Sequence, residues 1–304
     1  MSAEFYSNGK LLLSGEYLVL DGALALSIPT KYGQSMFVEP SEAGSINWKS
    51  LDNNGTIWFE NSFTFSELNS TKNRDETPSS IKATLLKILW EAKNLNPDFL
   101  SKSTGWNVTT HLNFPQNWGL GSSSTLINNI AQWAKINAFE LLDKSFGGSG
   151  YDIAAAQNNS PILYKKQDSV PLIEAVKIHW NFKDQLFFIH LNQKQNSKEG
   201  IAQYRKASVS IIELNKISAI TNSLLACKTL ALFENLIDKH ELIISEIIQT
   251  PTIKTQLFSD YPRSIKSLGA WGGDFVLVTA TPKELDYFRY RGYNTILSFA
   301  EMSV

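Results

Sequence analysis

Pro115-Gln116-Asn117-Trp118-Gly119-Leu120-Gly121-Ser122-Ser123-Ser124 lies between two periodic segments. Before it, Trp106 to Leu112 alternates apolar and polar side chains as a half-buried strand does. After it, Leu126, Ile127, Ile130, Ala131 and Ala134 share one face of a helix. A strand, a glycine turn and a helix starting near Ser123 or Ser124 are expected. Gly119, Gly121 and the Leu120 between them permit a loop whose successive N–H groups point into one concavity, because glycine tolerates positive φ. The helix N-terminus adds about half a positive charge. This arrangement suits a phosphate, with Ser122, Ser123 and Ser124 as further donors or as hard oxygen ligands for Mg2+. Taken alone, the segment reads equally well as a glycine-rich turn capped by serines. It is not a Walker loop, since no Gly-Lys-Ser/Thr occurs.

Three other segments carry similar chemistry. Gly147-Gly148-Ser149-Gly150-Tyr151-Asp152 opens an apparent helix, where an acid such as Asp152 is favoured by the macrodipole alone. Gly269-Ala270-Trp271-Gly272-Gly273-Asp274 precedes a strand at Phe275 to Thr279. Gly9-Lys10 starts a buried strand followed by Gly15-Glu16-Tyr17; a lysine there also reads as a solvated strand end.

Together these segments resemble the GHMP kinase superfamily over the whole chain. Asn8 to Tyr17 is similar to its first motif, Pro115 to Ser123 to its second and Lys266 to Asp274 to its third. The resemblance implies a nucleotide phosphate cradle at Gly119, Leu120, Gly121, Ser122, Ser123 and Ser124, with ATP and Mg2+ as cofactors. It implies that Ser123 ligates Mg2+, that Asp152 is the catalytic aspartate and that Lys10 approaches both Asp152 and the transferred phosphate. Gly269, Gly272 and Gly273 would close over the acceptor, with Glu16 also on the substrate side. Glu140 is the nearest candidate for the Mg2+ carboxylate, and a solvated helix face is its alternative. Within the superfamily the motifs resemble the mevalonate branch, so phosphomevalonate or mevalonate is the expected acceptor. Diphosphomevalonate decarboxylase, sugar kinases and a non-catalytic ATP or metabolite sensor are the alternatives. Trp118 and Trp271 replace small residues in two phosphate loops, which is expected to narrow the pocket.

The remaining composition agrees with a small-molecule enzyme. The chain has 304 residues, 43% of them apolar, enough for one large domain or two modest ones. Lys plus Arg number 28 against 29 Asp plus Glu, so no global field draws in nucleic acid or an anionic membrane. Cys227 is the only cysteine, which removes disulfide frameworks and thiolate zinc sites and agrees with a cytoplasmic location. The four histidines show no metal-ligand spacing. Glu16 and Asp21 interrupt the leading apolar stretch, which is therefore neither signal peptide nor membrane span. ATP, a small-molecule substrate and a second copy in a homodimer are the expected partners.

Strands precede and follow helices without βαβ alternation, so an α+β fold in two lobes is expected. A boundary near Tyr164 to Val170 divides the chain into 1–167, the nucleotide-binding domain, and 168–304. The resemblance implies an N-terminal lobe like the second domain of ribosomal protein S5 and a ferredoxin-like C-terminal lobe. Further expectations are strands at Leu11–Leu13, Tyr17–Leu20, Ile57–Phe65, Val176–Phe182, Leu186–Leu191 and Thr295–Phe299. Helices are expected after Pro78, capped by Ser79 or Ser80, and over Ile201–Ile248 with breaks near Ser218 and Asp238.

Overall fold

The computed structural model describes residues 2–70, 80–101, 104–168, 170–193, 197–269, 271 and 273–304, with the backbone alone for 197 and 198. Along the chain run β1 (Ala3–Ser14), β2 (Ala25–Ser41), β3 (Ser45–Leu51), β4 (Ile57–Thr64), α1 (Phe65–Asn69), α2 (Ile81–Leu95), β5 (Gly105–Leu112), α3 (Ser122–Ala134), α4 (Ala138–Ser145), α5 (Tyr151–Ala156), β6 (Ile162–Lys165) and β7 (Leu172–Ala175). There follow β8 (Leu186–His190), α6 (Ser197–Tyr204), α7 (Ile211–Ala226), α8 (Leu230–Ile248), α9 (Ile253–Leu257), β9 (Ile265–Ser267), β10 (Phe275–Thr279), α10 (Asp286–Arg289), β11 (Ile296–Ser298) and α11 (Phe299–Met302).

The chain divides into two compact units. Unit 1 holds Met1–Gly9, Tyr32–Gln116 and Gly121–Gln157; unit 2 holds Lys10–Lys31, Asn117–Leu120 and Asn158–Val304. The chain thus changes unit after Gly9, Lys31, Gln116, Leu120 and Gln157, and Tyr164 to Val170 lies inside unit 2. Two of these changes fall inside β1 and β2, each of which contributes to both units.

In unit 1, β3 pairs antiparallel with β4 and parallel with β5, and β5 pairs antiparallel with Gln34–Ser41 of β2. Alternation along β3 turns Ile46 and Trp48 inward. They meet Met36, Val38 and Val108 from neighbouring strands, Leu85, Ile88, Leu89 and Ala92 of α2, and Ile127, Ile130, Ala131 and Ala134 of α3. Each fully buried Leu, Ile, Val or Met side chain here contributes about 1.5–3 kcal/mol. Ser80 caps α2 as expected, its hydroxyl accepting the Ala83 N–H. Ser79 lies outside the described residues.

In unit 2, Ala25–Ser27 of β2 pair with β6, which pairs with β7. A separate antiparallel sheet runs β11-β8-β10-β9, with Phe275 opposite His190 and Val276 opposite Ser267. Its core includes Ile189, Val276, Val278, Phe258 and Phe288.

Three expectations fail locally. Tyr17 adopts φ 59 and Leu18–Asp21 form a 3₁₀ turn ending at Gly22, so the sharp reversal after Gly15 excludes a strand. Val176–Phe182 form no strand, although Ile178, Trp180 and Phe182 are buried. Trp180 packs edge-on to Phe233 at 4.8 Å and its indole N–H donates to the Leu224 carbonyl, so that alternation reflects helix packing. The helical tract breaks after Tyr204 and Ala226 instead of near Ser218 and Asp238. The stop at Cys227 and the Thr229 cap of α8 set the second break. No helix among the described residues is long and apolar enough to cross a membrane.

Candidate active site

The first glycine loop begins in unit 2. Lys10 holds it twice: its backbone N–H donates to the Leu120 carbonyl at 2.9 Å, and its ammonium donates to the Gly119 carbonyl at 3.1 Å. Gly119 has φ +66, and a β-carbon there would collide with the Asp274 carboxylate. Two constraints therefore demand glycine at this position. Asp274 itself sits at φ 55, its N–H donating to the Gln193 carbonyl at 2.9 Å and its carbonyl accepting the Leu191 N–H at 2.8 Å.

Residues just before Gly119 are fixed by the sheet. The Asn192 N–H donates to Nδ1 of His190 at 3.2 Å, so the ring hydrogen sits on Nε2, which donates to the Asn117 carbonyl at 3.0 Å. Trp118 packs edge-on to Phe275 at 5.4 Å and lies 6.4 Å from the His190 ring. Its bulk is thus taken up by packing on β8 and β10.

The loop enters unit 1 at Gly121, which adopts φ 90 as the N-cap of α3. Thr125 makes the first helical bond back to the Gly121 carbonyl, which leaves the amides of Ser122, Ser123 and Ser124 without intrahelical acceptors. The three serines differ. Ser124 is buried and its hydroxyl donates to the Gly121 carbonyl at 2.8 Å, Ser122 is half-buried and Ser123 is exposed. Ser123 is therefore the hydroxyl best disposed toward an external ligand.

Below this turn, α3 is anchored by a buried amide network. Asn128 donates to the Ser7 hydroxyl at 2.8 Å, Ser7 donates to Asn129 Oδ1 at 2.6 Å, and Asn129 donates to the Gln34 carbonyl at 2.9 Å. Gln157, next to the end of α5, donates to Asn128 Oδ1 at 2.9 Å. This ties α3 to the helix that carries Asp152. Asp152 is half-buried in the first turn of α5, following Gly150 at φ 86, and its Oδ1 accepts the Ile153 N–H at 3.1 Å. Asn128, Asn129, Ser7 and Gln157 carry no sequence signal, because the network spans up to 122 positions of chain.

Glu140 is exposed in the first turn of α4, which Asn137 caps. Among the described residues no three His, Cys, Asp or Glu side chains gather as a metal site. The oxygen available to Mg2+ in the first turn of α3 is the Ser123 hydroxyl, which fits an ion that takes few protein ligands alongside waters and phosphates.

The third loop follows β9 in unit 2. Gly269 has φ +73, Gly273 is buried, and Gly272 lies outside the described residues. Trp271 is buried, its backbone N–H donating to the Tyr17 hydroxyl at 3.1 Å and its indole N–H to the Pro251 carbonyl at 3.0 Å. Glu16 is buried as well, and its Oε1 receives the Lys266 ammonium at 2.7 Å. Elsewhere in unit 2, Arg205 pairs with Asp21 at 2.8 Å, and Arg263 with Glu284 at 3.1 Å and Glu234 at 3.5 Å.

No protein-family model matches the chain and no curated protein matches it. Solved structures do. The Methanococcus jannaschii mevalonate kinase aligns with a TM-score of 0.70 and 14% identity over 97% of this chain and 96% of that one. The Lactococcus lactis galactokinase complexed with galactose aligns with a TM-score of 0.70 and 12% identity over 100% and 93%. The chain has the GHMP kinase fold. The Streptococcus pneumoniae phosphomevalonate kinase in complex with phosphomevalonate and AMPPNP shares that fold, with a TM-score of 0.65 and 17% identity over 95% of each chain.

Proposed function

We propose that this protein is an ATP-dependent small-molecule kinase that transfers the γ-phosphoryl group to phosphomevalonate or mevalonate. The observation carrying this reading is the turn into α3. Gly119 and Gly121 both take positive φ, the first-turn amides lack helical acceptors, and Ser123 stays exposed while Ser124 folds back. Such a turn offers a phosphate N–H donors and a positive helix end with no cost of reorganisation at the moment of reaction.

Phosphoryl transfer asks chiefly for positioning and charge neutralisation. Lys10 supplies an ammonium fixed by its donation to the Gly119 carbonyl, a positive charge held beside the glycine turn for a phosphoryl oxygen. Ser123 is assigned to Mg2+, with Glu140 as its carboxylate; the ion, when bound, would neutralise phosphate charge. Asp152 is assigned to orient an acceptor hydroxyl and receive its proton. Glu16 and the loop at Gly269, Gly272 and Gly273 are assigned to the acceptor side. Glu16 already neutralises Lys266, so its part is to shape that side as half of an ion pair.

A sugar acceptor is the second reading, supported by the likeness to galactokinase. Coupled ADP release with mevalonate, phosphomevalonate, galactose and homoserine separates the readings. Turnover on one of the first two is expected. Activity on none, with ATP bound, would replace the kinase by a sensor.

A further inference from the structure

Beneath the third glycine loop, unit 2 buries four ionisable side chains together. Glu16, His240, Glu241 and Lys266 are each at most 3% exposed. Lys266 donates to Glu16 Oε1 at 2.7 Å and to the Ser267 carbonyl at 3.0 Å, with Glu241 Oε1 further off at 3.4 Å. Glu241 Oε2 accepts the Ser267 N–H at 3.0 Å, a bond on β9 two residues before Gly269. The Gly15 N–H donates to Nε2 of His240 at 3.0 Å, and Glu16 Oε2 lies 3.1 Å from the same nitrogen. The ring hydrogen therefore sits on Nδ1, 3.9 Å from Glu241 Oε1.

We infer that Glu241 is a positioning residue for the third glycine loop, fixing β9 through Ser267, and that the cluster around it holds one proton on its carboxyl groups. The charge count requires that proton. Lys266 balances one carboxylate, and a second ionised carboxylate in this buried setting would stay uncompensated. Burial pushes the Glu241 carboxyl up, against the opposing pull of Lys266, and burial drives His240 down to about 3, so the imidazole does not itself provide the missing positive charge. The groups facing Glu241 are Lys266 and Ser267 from β9, His240 and Asp238 from α8, and Glu16 from the turn after β1. The proton's position within such a coupled set belongs to the cluster as a whole.

This inference deepens the kinase reading, since it assigns the loop's support within that site. The full chain is compared with E241Q, whose amide carbonyl keeps the Ser267 bond while removing a charge, and with E241A, which removes both. Amide exchange in residues 264–275 is expected to stay within threefold of wild type in E241Q and to accelerate at least tenfold in E241A. The wild-type urea midpoint is expected to fall from pH 6 to pH 9 more steeply than that of E241Q, because only the wild type loses the shared proton. In kinetic assays E241A raises the acceptor KM while the ATP KM holds. Equal exchange in the two variants, or parallel pH slopes for wild type and E241Q, overturns the inference. If the wild type transfers phosphate to no acceptor tested, the kinase reading fails, and the exchange and slope measurements still decide the role of Glu241.

Discussion

The α-carbon of Gly119 lies against the carboxylate of Asp274, so that any β-carbon at 119 would take the carboxylate's place. The contact joins the second motif to the third across more than half of the chain. Both residues hold positive φ, at 66° and 55°, so the contact is maintained by backbone that most side chains would resist.

Gly119→Ala is therefore expected to destabilise the protein by about 2–4 kcal/mol, from left-handed strain plus overpacking. Adding Asp274→Gly removes the obstructing carboxylate and relieves the second strained φ. Urea unfolding should accordingly show the double variant more stable than Gly119→Ala alone. Additive losses would mean that the two loops do not press on each other.

Lys10→Met removes the ammonium and with it the hydrogen bond to the half-buried Gly119 carbonyl. Its effect on stability should be about 1 kcal/mol, whereas loss of a fixed charge beside a transferring phosphoryl group should lower kcat by roughly 10²–10³-fold. Measuring both in the same preparation separates the roles. A stability loss with kcat preserved would leave Lys10 as a clamp on Gly119 alone.

Much of this arrangement was legible in the sequence, for local reasons. The strand at Leu11–Leu13, the turn at Gly119–Gly121 and the α2 cap at Ser80 are each set by a few neighbouring residues. At Tyr17 to Leu20 a β-favouring run is overridden by the reversal at Gly15 (φ 95) and Tyr17 (φ 59). Ser218 looked like a helix break, yet it sits inside α7, its hydroxyl donating to the Leu214 carbonyl and accepting the Leu24 N–H. Asp238 likewise stays helical while its carboxylate accepts the Ser264 hydroxyl. The supporting shell of the site was not legible. Asn128 meets Ser7 across 121 positions and Lys266 meets Glu16 across 250, distances at which a single sequence carries no pairing signal. Likewise, Trp118 and Trp271 look like obstructions in the sequence because only the fold brings them their partners, the Phe275 ring and the Pro251 carbonyl.

In unit 1, Glu67 links a capping box with Thr64 to the Lys82 ammonium at 2.8 Å. The hydrogen bond from Lys82, followed by that from the Thr64 N–H, holds its carboxyl down at about 2. A depressed carboxyl contributes stability above its unfolded pKa and loses it as pH falls toward the folded value. Because the side chain is 40% exposed, solvent screening reduces the contribution to about 0.5–1 kcal/mol. Between pH 5 and pH 2 the wild type should lose that much more than Glu67→Gln in urea titrations. Parallel acid profiles would show that the pair contributes nothing measurable.

The acceptor's chemistry can be read from Asp152. An alcohol must surrender its proton during transfer, whereas a phosphate monoester, with a second pKa of about 6, is already largely dianionic at neutral pH. Asp152→Asn keeps the shape of the α5 first turn and an oxygen that can accept the Ile153 N–H, the bond Oδ1 makes now. It removes the base. With mevalonate as acceptor, kcat is expected to fall at least 100-fold while ATP affinity stays within threefold, the usual scale for losing a general base. With phosphomevalonate, the same variant should keep turnover within about tenfold, since the incoming oxygen needs no deprotonation. The size of the loss on the acceptor that turns over thus reports, in a single purified variant, whether the transfer needs a base. Undiminished transfer to mevalonate would remove Asp152 from the chemistry and leave it as a dipole-compensating acid at the start of α5.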